Sequence, residues 1–166
     1  MPQVEAQLTP LPWVDVMRMI PIAFERVYGL AAGPVMPYLA AMIAIENARG
    51  KAFIGHNWGN ITTNSTDGPY WMSAGTGTRK FPVFATHEAG LDAWLRRLGS
   101  KTHSRIIQAA LRDDFNGFFD SITLPHPSTK MAYCPDCRTA ATQDTYLKLV
   151  NEFKSVQGAP EVKKKE

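Results

Sequence analysis

At 166 residues the chain has room for one domain with a proper core, or for two lobes around a cleft. Its 45% hydrophobic and 20% charged content is that of an ordinary globular protein, and no run of about 18 apolar residues exists to span a membrane. The net charge of +3, partly from Lys163, Lys164 and Lys165, is too mild to imply nucleic acid, though it favours an anionic polymer. In chain order, residues 1–12 read as an extended, proline-punctuated entry with no basic n-region leading into an apolar stretch, so no secretory signal is expected. Residues 13–28 have helical spacing, with Pro21 as a kink or break, and Gly29 and Gly33-Pro34 follow. Residues 35–48 form a second helix, closed near Gly50, a suitable left-handed cap.

From 51 to 85 the composition shifts to Gly, Asn, Thr and Ser. "YWMSAGTGTRKFPVFA" predicts two short strands joined at Gly75-Thr76-Gly77, with Pro82 confining the second to an edge. Helices resume at 87–98, with Leu91, Trp94, Leu95 and Leu98 on one stripe and Thr86 as N-cap. Another is predicted from Ser104 to Phe115, then a loop over 121–141, then a last helix at about 143–155 burying Tyr146, Leu149, Val150 and Phe153. Residues 157–166 read as a disordered tail. Cys134 and Cys137 form a lone CPDC. With no second pair to complete four ligands, it reads as a local loop staple or two free thiols ahead of a metal site.

One residue is out of place in this pattern. Leu39, Met42, Ile43 and Glu46 recur at i, i+3, i+4 and i+7, so a carboxylate shares the face that packs the core. Burial and the negative end of the helix both favour its protonated form, as a general acid requires. The alternative is an edge residue that snorkels to water or pairs with Arg49 or Lys51. Between Glu46 and Glu88 the only acid is Asp67, hence the candidate for a second carboxylate, although Asp-Gly also simply starts turns. Trp58, Tyr70 and Trp71 offer flat apolar faces, and Asn57 and Asn60 offer amides, for holding a sugar; "HNWGN" suggests that Trp58 is exposed on a loop.

"AIENARGKAFIGHNWGNIT" resembles the signature of bacterial cell-wall N-acetylglucosaminidases of the autolysin and flagellar-rod type, in the lysozyme-like superfamily. Glu46, Gly50-Lys51, Asn57, Gly59 and Ile61 match it in order. "FPVFATHEAGLDAWLRRLG" resembles the family's strand-to-helix stretch, and "DTYLKLVNEF" resembles a later helix, so the likeness covers roughly residues 36–155. It implies a mainly α (α+β) lysozyme-like fold over 13–156, in which a β-hairpin lobe at about 57–85 flanks a glycan cleft. It also implies hydrolysis of the β-1,4 backbone of peptidoglycan with Glu46 as general acid, and Tyr146 on the tyrosine that lines the cleft. Neither metal nor cofactor is implied.

Two departures stand out: the lobe holds Asp67 where the family often has Glu, and Asn47 follows the acid in place of Ser. The "G-L-M-Q" segment of lytic transglycosylases is absent. The expected partners are peptidoglycan glycan strands, with virion or export-apparatus proteins for a chain carried to the periplasm or wall by another system. A muramidase, a transglycosylase of the same fold, or a non-catalytic structural or wall-binding module are the competing expectations.

Overall fold

The computed structural model describes residues 3–64, 68–73 and 79–165. Among them are six α-helices and one two-stranded antiparallel sheet, a mainly helical α+β arrangement: α1 (Trp13–Tyr28), α2 (Met36–Glu46), β1 (Tyr70–Met72), β2 (Lys80–Pro82), α3 (His87–Leu98), α4 (Ser104–Leu111), α5 (Phe115–Thr123) and α6 (Ala140–Val156). The chain divides into two compact units. The first holds residues 1–30 and 43–95, the second 31–42 and 96–166, so α2 contributes to both.

In the first unit, α1 continues past Pro21, where a kink or break was expected. The proline forgoes one helical hydrogen bond, but Ile20, Ala23 and Phe24 on either side of it are buried and hold the turn. Gly29, in the left-handed conformation, closes α1 with its N–H on the Glu25 carbonyl. The Tyr28 hydroxyl donates to the Leu95 carbonyl, and Arg26 pairs with Asp92 at 2.5 Å, joining α1 to α3. Thr86 caps α3 as expected, accepting from Ala89 N at 3.2 Å.

The predicted hairpin is present, in the register Tyr70↔Pro82, Trp71↔Phe81, Met72↔Lys80. Its predicted Gly75-Thr76-Gly77 turn lies outside the described residues. The N-terminal segment is extended and bonded to the rest of the unit: Val4 N to Tyr70 O, Thr9 N to Phe53 O and Leu11 N to Gly50 O.

In the second unit, α4 stops at Leu111, short of the predicted Phe115, because Asp113 turns left-handed (φ 55°). Asp114 then caps α5, a helix not expected from the sequence, by accepting from Gly117 N at 3.0 Å. Phe115, Phe118, Phe119 and Ile122 fall on one buried face of α5. Tyr38 of α2, Phe118 and Tyr146 of α6 form an aromatic chain, with ring centroids 4.8 and 5.9 Å apart.

Cys134 and Cys137 are joined as a disulfide, the local staple among the sequence's alternatives. Where a disordered tail was expected, residues 157–165 run back over the unit. Asn151 and Val162 exchange two hydrogen bonds, and Lys164 meets Asp144 at 2.8 Å.

Candidate active site

Glu46 is the last residue of α2. The helix cannot continue, because the next turn is left-handed throughout: Ala48, Arg49 and Gly50 have φ of 47°, 53° and 90°. Each non-glycine residue there costs about 1 kcal/mol or more, so the turn must be held by its surroundings. Asn47 accepts from Gly50 N and Ala52 N through its own carbonyl. Gly50 is required at its position for a second reason. A Cβ on it would lie 2.2 Å from the Leu11 carbonyl oxygen, in a backbone pair closed by Leu11 N on Gly50 O at 2.9 Å.

Three asparagines then fix the segment facing the acid. Asn47, wholly buried, accepts from Gly59 N at 2.9 Å and donates to the Asn57 carbonyl at 3.3 Å. Asn57, also buried, accepts from Ile61 N and donates to the carbonyls of Ile61 and Pro82, at 3.0, 3.0 and 3.1 Å. Asn60 sits left-handed at φ 48°, which asparagine tolerates, and its amide donates to the Glu46 carbonyl at 2.8 Å. The same amide nitrogen lies 3.4 Å from Glu46 Oε2. The end of α2, the 57–61 turn and β2 are thereby tied through amide side chains.

Glu46 is half-buried. Burial raises its pKa above the ordinary carboxylate value, and the hydrogen bond from Asn60, which favours the anion, opposes this only in part. Among the described residues no ion pair engages it, so the expected alternative of pairing with Arg49 or Lys51 does not describe this carboxyl. Such a group keeps its proton to higher pH than a free glutamate does, and can deliver it to an oxygen at the surface.

The other predicted residues divide sharply. Asn60 is at the acid, and Tyr70 of β1 is half-buried, with Lys80 Nζ 4.7 Å above its ring. Asp67 lies outside the described residues. Trp58, expected on an exposed loop, is instead a core residue at 0% exposure, its ring centroid 4.6 Å from Phe53 and 6.5 Å from Trp94. The reason is that the 57–61 turn is pinned inward by Asn47, which puts the indole against α3. Asn57 is corrected likewise: its amide is spent on backbone groups and not offered to a glycan.

Trp71 is 8% exposed and stacks on Phe81 at 4.4 Å, so its ring face packs within the hairpin and is not laid open for a sugar. Tyr146 belongs to the second unit and is wholly buried, its ring against Phe118 and Phe119, so it is a core residue as placed. Asn47, marked in the sequence only as a departure from Ser, proves to be the tie that holds the 57–61 turn. Its signal was a polar side chain directly after an apolar helical run. No known family model, curated protein or solved structure matches this chain.

Proposed function

We propose that the protein is a peptidoglycan glycosidase of the lysozyme-like type, N-acetylglucosaminidase-like in bond choice, with Glu46 protonating the leaving oxygen. One observation carries the reading: a half-buried carboxyl at a helix end, with no ion pair among the described residues, raised in pKa by burial and oriented by Asn60. In the proposal Asp67 serves as the second carboxylate, and Tyr70 and Asn60 line the glycan path. The polymer would be reached from a virion or through a dedicated delivery system. Muramidase or lytic transglycosylase chemistry would use the same acid, because the bond chosen depends on how the sugars seat and not on the proton donor.

The test is product analysis on purified peptidoglycan, for the wild type and Glu46→Gln. The substitution should lower turnover by about 10²–10⁴-fold with the fold intact. Borohydride reduction and mass spectrometry then identify the new end as N-acetylglucosamine, muramic acid or an anhydro sugar. Undiminished activity in Glu46→Gln refutes the assignment.

A second reading, a non-catalytic module of the same fold that binds the wall or serves in a virion, draws support from the burial of Trp58, Asn57 and Tyr146. It predicts glycan or particle binding and no new reducing ends from the wild type.

A further inference from the structure

The stretch from the end of α3 to the end of α4 is unusual in charge. Between Asp92 and Asp113 there is no acid, yet Arg96, Arg97, Lys101, Arg105 and Arg112 occur there together with His103. In the second unit this basic run is folded tightly. Ser100 N donates to the Arg97 carbonyl at 3.2 Å, and His103 N and Ser104 N both donate to the Ser100 carbonyl, at 3.0 and 2.8 Å. The turn thus sets Arg97 close to the first turn of α4, where Arg105 sits.

The loop after α5 packs on the same place, with the Tyr133 ring edge-on to His103 at 5.6 Å. In that loop the His126 ring accepts at Nδ1 from Ser128 N (3.2 Å), Ser128 Oγ (3.0 Å) and Thr129 N (3.3 Å). Its proton therefore resides on Nε2, a donor. Among the described residues, none of Arg97, Lys101 and Arg105 forms a salt bridge.

Three polar atoms here are buried without a partner among the described residues: His103 Nδ1, Arg105 Nε and Thr129 Oγ1. His103 itself is only 4% exposed. Buried polar groups are nearly always satisfied, and three orphans from two segments, the start of α4 and the loop after α5, beside guanidinium groups with no salt bridge among the described residues, call for a shared acceptor. Burial, and then the charges of Arg97, His126 and Arg105, lower the His103 pKa to about 4, so the ring is neutral in the free protein.

We propose that Arg97, His103, Arg105, His126 and Thr129 form a binding site for a phosphate group, distinct from Glu46 and independent of the glycosidase reading. A tetrahedral oxyanion suits donors that arrive from several elements, as a flat carboxylate does not. The phosphate is either a free ion or the phosphodiester of a polymer, and the experiment distinguishes these sources.

The intact protein is titrated at constant ionic strength, first with inorganic phosphate and then with a glycerol-phosphate oligomer, while its ¹H–¹⁵N NMR signals are followed. Saturable shifts centred on the His103 imidazole and the Thr129 amide are expected, with the His103 ring moving toward its protonated form as the anion binds. Tighter binding of the ion assigns the free anion; tighter binding of the oligomer assigns the polymer. Arg105→Gln should weaken binding by about tenfold or more. Arg96→Gln, which removes the same charge nearby, should change it by less than about twofold. Shifts that do not saturate, or equal losses in the two variants, overturn the site. The wild-type titration decides the question even if Arg105→Gln fails to fold.

Discussion

At the scale of single residues, the acid and the turn behind it set opposite demands. Glu46 is held where its neutral form is favoured, so the folded state takes up a proton more readily than the unfolded chain. The stabilisation linked to that proton is complete below the ordinary carboxylate pKa of 4.5 and is lost as pH rises through the elevated folded value. Glu46→Gln cannot ionise. Relative to the wild type it should therefore gain stability with rising pH and gain little in acid, measured as denaturant midpoints across pH. A difference that grows toward acid instead would show that the carboxyl is stabilised as an anion. Two residues on, exposed Ala48 sits at φ 47° with no packing role to justify it. Ala48→Gly should raise stability by about 0.5–1 kcal/mol, relief of left-handed strain exceeding the added freedom of the unfolded chain. Thermal unfolding checks this, and an unchanged or lower midpoint would mean that the turn is not strained there.

At the scale of elements, the site depends on how closely α3 approaches the 56–58 backbone. A Cβ on Gly90 would fall 1.8 Å from the His56 carbonyl oxygen and 3.2 Å from Trp58 Cδ1. Gly90→Ala must push α3 away from the turn that positions Asn60, and should cost about 3 kcal/mol, at the upper end for overpacking. Chemical denaturation gives the loss directly, and a variant within about 0.5 kcal/mol of wild type would show that the approach is slack. Element boundaries also show what the sequence conceals. The spacing Phe115, Phe118, Phe119, Ile122 and the cap Asp114 are both local signals for α5. Asn116 and Gly117, weak helix formers in its first turn, mask them until the helix has a core to pack against.

At the scale of the whole molecule, each compact unit carries its own ties. In the second, Lys154 Nζ lies 2.5 Å from Asp113 Oδ2, and the Tyr38 hydroxyl donates to Asp113 Oδ1 at 2.8 Å, so one carboxylate joins α2, the α4–α5 turn and α6. The pair is lopsided, with the lysine side chain 6% exposed and the aspartate 40%. Asp113→Asn, which keeps the left-handed turn tolerable, strands a buried ammonium and should cost about 3 kcal/mol. Lys154→Met leaves a carboxylate that water can reach and should cost less than about 1 kcal/mol. Equal losses in urea unfolding would show that both charges are desolvated alike.

Much of this was legible in the linear chain. Periodicity and caps are local, so five of the six helices, the hairpin and the acid on the apolar face of α2 could be read from spacing alone. Which way a polar, aromatic loop faces is not local. Trp58 is buried because Phe53 and Trp94 receive it, and Asn57 is spent because Pro82, far along the chain, offers it a carbonyl. The fate of Tyr146 rests on Phe118 and Phe119 in a helix that the pattern concealed. Residue type and spacing determined that a carboxylate ends α2. Only tertiary packing decided which of its neighbours remain accessible, because burial is a property of contacts between segments distant in sequence.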